Sequence, residues 1–206
     1  MNPSLVGSEM CIRDSYYTGS VKVKIELEYT RATGGGIGYT KAAGNYGGAF
    51  YPTSQAIKEG YNQVIWTDHK EHKYIEESGT MNLMLFIGDT FVTPPLTDRI
   101  LAGVTRRSII TLVKEQGWAI EERPVTVDEI VEAARTGALK EAFGMGTAAV
   151  VSQIDTIGHE GTNYSIPTPA DGKAMEIKRL LNDIRLGRTP DTNQWMVDVV
   201  QPATAE

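Results

Sequence analysis

The sequence predicts an α+β fold, and three observations carry that expectation. Val21 to Tyr29, VKVKIELEY, alternates apolar and charged residues with the period of two that marks a half-exposed strand. GVTRRSIITLVKEQG and VTVDEIVEAARTG instead space their apolar residues at helical intervals. Strands and helices then follow one another without the regular βαβ alternation of a doubly wound sheet, and no linker divides residues 16–200.

Each element has its own local reason. After a glycine-rich segment, NYGGAFYPTSQAIKEG sets Ala49, Phe50, Thr53, Ala56 and Ile57 at helical spacing and stops at Gly60. NQVIWTD and MNLMLFIGDTFVTPP read as strands, the second broken at GD like a hairpin and closed by Pro94 and Pro95. The next helix sets Val104, Ile109, Leu112 and Val113 mostly on one face and ends at Gly117. Thr126 and Glu129 form a capping-box pair opening a third helix. FGMGTAAVVSQI reads as a turn feeding a buried strand, TNYSIP as a further strand, and DGKAMEIKRLLNDIRLG as a closing amphipathic helix.

The two ends read differently. MNPSLVGSEMCIRDS, residues 1–15, has neither strand nor helix periodicity. Its VGSEMCIRDS resembles translated sequencing-adapter sequence, so a non-native or disordered leader is expected there, with the native chain starting near Tyr16. Residues 201–206 are expected to be a loose tail.

A chain of 206 residues, 41% of them apolar, is long enough to bury a sizeable core. Its net charge of −6 comes without a basic stretch, which argues against a nucleic-acid partner. No apolar run is long enough to span a bilayer and the start lacks a secretory pattern, so no membrane partner and a cytoplasmic location are expected. The single cysteine, Cys11, excludes an intrachain disulfide and a cysteine-based metal site.

The chemistry begins at GGGIGYTKAAGNYGGA, residues 34–49. A P-loop needs lysine directly after its last glycine, but Gly38 is followed by Tyr39, Thr40 and only then Lys41. A dinucleotide fingerprint started at Gly34 needs glycine where Tyr39 stands. A lysine that attaches a flat cofactor needs small neighbours and partial desolvation, which this segment offers. Taken alone, Lys41 reads most simply as one more solvated lysine, because lysines are overwhelmingly exposed.

Two other segments supply what a pyridoxal phosphate site requires. The helix opening at GVTRRS offers free N–H groups at Val104 and Thr105, and the MGTAA turn offers more donors. Glu77, in the turn-like EESGTMN, could hold a protonated pyridine nitrogen, although beside Glu76 it reads most simply as part of a solvated charge pair.

With GYTKAAGNYGGA, ESGTMNLML, TPPLTDRILAGVTRRSI, EAFGMGTAAVVSQI and IRLGRTPD in this order, the chain resembles the branched-chain amino-acid aminotransferases, pyridoxal-phosphate enzymes of fold type IV. The resemblance implies the larger C-terminal domain of the D-amino-acid aminotransferase-like fold over residues 16–200, with the smaller N-terminal domain missing. It implies transamination between a branched-chain L-amino acid and 2-oxoglutarate, a 2-oxo acid, with pyridoxal 5'-phosphate as cofactor and a homodimer at full length.

By position, the resemblance makes Lys41 the catalytic, cofactor-linked residue. Tyr46 meets the cofactor's phenolic oxygen and Glu77 its pyridine nitrogen. Val104, Thr105, Thr147 and Arg31 lie toward the phosphate, and Thr80, Thr147 and Ala148 toward the substrate. A missing phosphate arginine and side-chain pocket imply little activity from this polypeptide alone. Ala149 and Ser152 stand where some animal members carry a redox Cys-x-x-Cys pair. The related D-amino-acid aminotransferases and aminodeoxychorismate lyases keep the same lysine and carboxylate, and a non-catalytic folded fragment is the reading from another class. His69 and His72 in DHKEH lack a third ligand and read as an exposed turn, as does His159; Arg106 and Arg107 flank the proposed phosphate site but equally fit surface charge, and are not counted as ligands.

Overall fold

The computed structural model describes residues 19–197, so the expectations for residues 1–15 and 201–206 lie outside the described residues. Its strands are β1 (Val21–Ile25), β2 (Gln63–Thr67), β3 (Ile75–Ser78), β4 (Met81–Ile87), β5 (Thr90–Thr93), β6 (Ala119–Glu122), β7 (Leu139–Gly146), β8 (Val150–His159) and β9 (Thr162–Ser165). Its helices are α1 (Gly44–Gly47), α2 (Phe50–Lys58), α3 (Val104–Glu115), α4 (Val127–Thr136) and α5 (Lys173–Arg185). Among the described residues no helix is long and apolar enough to cross a membrane.

All strands join one mixed sheet in the order β3-β2-β1-β8-β7-β4-β5-β6, with β9 added on β8. Because β3 also pairs with β4, the strands from β3 to β4 close into a ring. Every strand of that ring sends residues inward: Val21, Val23, Ile25, Ile65, Ile75, Leu83, Leu85, Leu139, Ala142, Ile154 and Ile157 share one buried cluster. Helix α4 adds Val127, Ile130 and Ala133 to it. Period-two alternation sends Met84 of β4 and Phe143 of β7 to the opposite face, against Ile109, Leu112 and Val113 of α3 and Ala174, Ile177 and Leu181 of α5.

The structure corrects several local expectations. Helix α2 buries Pro52 and Ala56, the latter in a cluster with Val64 and Trp66, and leaves Phe50 and Ile57 exposed. Val104 is exposed while Ile109, Leu112 and Val113 are buried, so the buried face of α3 does not include its first residue. The cap of α4 is half a capping box: Thr126 Oγ1 accepts the Glu129 N–H at 3.0 Å, while the Glu129 carboxylate turns to Arg123. Arg106 is buried, donating to Pro94 O at 3.0 Å and to Glu122 at 2.8 Å, so it is no surface charge. Strands β3 and β6, four residues each, were invisible to the apolar pattern.

Candidate active site

Glu77 is the centre of the site, and a strand holds it. IEES forms β3, and the EESGTMN segment read as a turn becomes a tight hairpin in which Glu77 pairs with Asn82 and Ser78 with Met81. Both Glu76 and Glu77 are only 3% exposed, which overturns the solvated-pair expectation. The physical reason is that each carboxylate has a cation brought from elsewhere in the chain. Glu76 Oε1 lies 2.5 Å from Arg99 Nε, and Glu77 Oε2 lies 2.6 Å from Arg31 Nε. The second contact is a charge contact off the line of the N–H rather than an aligned hydrogen bond.

The other oxygen of Glu77 accepts from Asn82 Nδ2 at 2.9 Å and from the Leu101 N–H at 3.2 Å. Burial drives the Glu77 pKa up, and the Arg31 charge and the Leu101 N–H pull it back, leaving it raised to about 7. Burial likewise raises Glu76 against the opposing Arg99. A buried acid poised near neutrality is an uncommon feature that functional sites share.

Asn82 ties this acid to a helix start. Its side chain donates to Leu101 O at 2.9 Å, two residues before the N-cap Gly103. A Cβ on Gly103 would collide with Asn82 Oδ1, so a larger residue there would push the Asn82 amide out of place. Gly103 has no side chain to cap α3, and the first ladder bond runs from the Arg107 N–H to Gly103 O, so Val104 and Thr105 begin the helix with N–H groups outside the ladder. Asn82 also stands opposite Met145 in the β4–β7 register, next to the Gly146–Val150 turn. Thr147 and Ala148 are exposed on that turn. It is strained at Val150, which has φ of 60° and is bridged by the Val151 N–H to Ala149 O at 2.7 Å.

The glycine-rich segment is stitched to the same region. Arg31 Nη2 donates to Gly38 O at 2.9 Å and also to Arg99 O. Asp98 accepts the Gly35 N–H at 2.6 Å on its side chain and the Tyr39 N–H at 3.0 Å on its carbonyl. Gly38 is buried where a Cβ would come 2.5 Å from Ala32 Cβ and 2.9 Å from Arg99 Cα. Asn45 of α1 then donates to Ile37 O and Thr40 O, each at 2.8 Å, fixing the turn that carries Lys41. Lys41 itself is exposed, and Tyr46 is half-buried in α1.

Glu77, Arg31, the Val104–Thr105 helix start and the Thr147–Ala148 turn are thus joined through Asn82, Leu101 and the β4–β7 register. Lys41 follows the glycine-rich segment, Tyr46 lies in α1 and Thr80 in the turn between β3 and β4; among the described residues, no hydrogen bond or ion pair links Lys41 to Glu77. Asn82 is the residue that sequence reasoning missed. Its signal was a lone amide within the otherwise apolar MNLMLFI. The DHKEH turn is organised by Asp68, which accepts N–H groups of Lys70, Glu71, Lys73 and Tyr74. A concavity of about 360 Å³ lies beside it, lined by Gly34, Asp68, His69, Lys70, Tyr74 and Arg99.

Comparison with known proteins supplies an independent line. Residues 35–157 match the family described as amino-transferase class IV. The chain is 40% identical over 190 residues to a probable branched-chain-amino-acid aminotransferase of Staphylococcus aureus strain N315, covering 90% of this chain and 53% of that protein. It is 39% identical over 189 residues to branched-chain-amino-acid aminotransferase 2 of Bacillus subtilis strain 168, covering 90% and 52%. The chain therefore spans about half the length of the curated relatives it matches. Among solved structures it is similar to the branched-chain amino acid aminotransferase of Escherichia coli, at 26% identity and a TM-score of 0.72, covering 88% of this chain and 58% of that one. A branched-chain amino acid aminotransferase of Thermobaculum terrenum in its PLP form shares the fold at 23% identity and a TM-score of 0.68, covering 83% and 52%.

Proposed function

This chain belongs to the amino-transferase class IV family and is an aminotransferase by family; from that premise we propose that the protein it comes from transfers amino groups between branched-chain L-amino acids and 2-oxoglutarate with pyridoxal 5'-phosphate. The observation that carries the reading is the buried Glu77, held by Asn82 and the Leu101 N–H beside the open N-terminus of α3. Its donor set fits the cofactor at both ends: an acid poised near neutrality suits a ring nitrogen that gains a proton, and free helix N–H groups suit a phosphate. The relatives' names support the choice of substrate.

Bound pyridoxal phosphate supplies an electron-withdrawing ring that makes the substrate's α-proton acidic. The rest falls to the chain. Lys41 would hold the cofactor through its amine and, when its amine is free, would move a proton to and from the substrate α-carbon. Glu77 holds the ring nitrogen's positive charge, and Tyr46 orients the phenolic oxygen. Val104, Thr105 and Thr147 cradle the phosphate through N–H and hydroxyl groups, while Thr147 and Ala148 orient the substrate carboxylate near Thr80.

Borohydride reduction of the cofactor-loaded protein followed by peptide mapping tests the assignment. A pyridoxyl label on Lys41 is expected, and a label confined to other lysines refutes it. Glutamate formation from leucine and 2-oxoglutarate, set against D-alanine and aminodeoxychorismate as alternative substrates, separates this reading from its nearest relatives in chemistry.

A further inference from the structure

We propose that Arg31 is a positioning residue: its guanidinium keeps Glu77 able to carry negative charge in a buried site and ties the segment bearing Lys41 to the strand bearing Glu77. The proposal rests on the reading of Glu77 as the group that meets the cofactor ring.

The geometry is unusual for an arginine placed among small residues. The Arg31 side chain is 7% exposed and that of Glu77 4%. One nitrogen stands 2.6 Å from the Glu77 carboxylate, and another donates to the carbonyls of Gly38 and Arg99. Three pieces of chain converge on one cation: strand β3, the glycine-rich segment three residues before Lys41, and the loop leading to α3. Arg31 sets its charge against the acid and directs its Nη2 donor to two carbonyls of the backbone around it. A lysine could supply the charge but not, from one side chain, both the carboxylate contact and the two carbonyl bonds.

The charges facing Glu77 are few. Arg31 approaches from the segment after β1, and Glu76 adjoins it on β3, itself paired with Arg99. Asn82 and the Leu101 N–H are neutral donors. Burial pushes Glu77 toward its neutral form and Arg31 is the largest opposing influence. Without Arg31 the carboxyl would stay protonated well above neutral pH, and a neutral acid holds a ring cation poorly.

The test is a carbon-13 NMR titration of the glutamate carboxyls in the 206-residue chain without cofactor, with the Glu77 resonance assigned through Glu77→Gln. Arg31→Met should raise the Glu77 midpoint by roughly 1–3 pH units, and Arg31→Lys should return it most of the way. A midpoint unmoved by Arg31→Met overturns the proposal. If Arg31→Met alone is too unstable to titrate, thermal melts of the single and double variants decide the matter. Glu77→Gln added to Arg31→Met should recover stability near neutral pH, because it removes the cost of keeping the unpaired buried acid protonated; strictly additive losses overturn the pairing. Pyridoxal phosphate added to the parent chain should move the Glu77 resonance. A resonance that ignores the cofactor while Arg31→Met still shifts its midpoint leaves the charge pairing in place, and overturns the reading of Glu77 together with the cofactor role of Arg31.

Discussion

Glu77→Gln converts the poised acid into a neutral isostere, and its effect on stability should depend strongly on pH. In the folded chain the Glu77 pKa is raised from 4.5 to about 7. Between those values the native state holds a proton that the unfolded chain has already released, so unfolding releases protons and rising pH favours unfolding. Stability from this group is fully present below the unfolded value and is lost as pH climbs through the folded one. At about 1.4 kcal/mol per pH unit the ceiling is about 3.5 kcal/mol.

Glutamine mimics the protonated acid and does not titrate, so any pH-independent cost of the substitution cancels when two pH values are compared. From near pH 5 to near pH 8 the parent should lose about 2.5 kcal/mol relative to the variant. For a chain of this length that is roughly 5–10 °C in melting temperature. Paired urea or thermal denaturation of both proteins across this range measures the difference directly. A difference that stays flat, or a parent that gains on the variant as pH rises, would refute the argument and return Glu77 to an ordinary ion-paired carboxylate.

Further outcomes follow from other residues. Gly38→Ala places a methyl group 2.5 Å from Ala32 Cβ and 2.9 Å from Arg99 Cα; it should cost about 1–3 kcal/mol by thermal melt and reduce pyridoxal labelling of Lys41. Burial opposes the charge of Asp68, yet N–H groups from Tyr74, Glu71, Lys73 and Lys70 hold its pKa down to about 2. Its stabilisation is therefore present above the unfolded value of 3.8 and lost as pH falls toward about 2, so Asp68→Asn should destabilise the chain at neutral pH and progressively less in acid. Thr126→Ala removes the 3.0 Å bond to the Glu129 N–H and should cost about 1 kcal/mol, while Thr126→Ser should cost less; equal melting temperatures for both would show that the cap contributes nothing.

The sequence by itself determined the elements whose cause is local. Alternation in VKVKI, the hairpin break at GD, the Thr126 cap and the apolar stripes of α3, α4 and α5 all act within a few residues, so their pattern is written along the chain. The ordered motifs around Lys41, Glu77 and Val104 are contiguous stretches, so the family resemblance they carry is also legible along the chain. Only the tertiary structure decided what those residues meet. IEES carries no strand signal, since its two acids become buried only when Arg31 and Arg99 arrive from distant segments to neutralise them. Asn82 is a lone amide in an apolar strand, and its partners Leu101 and Gly103 reach it only through the fold. A carboxylate's burial and charge are set by the groups that surround it in space, and those groups come from segments far apart in the sequence.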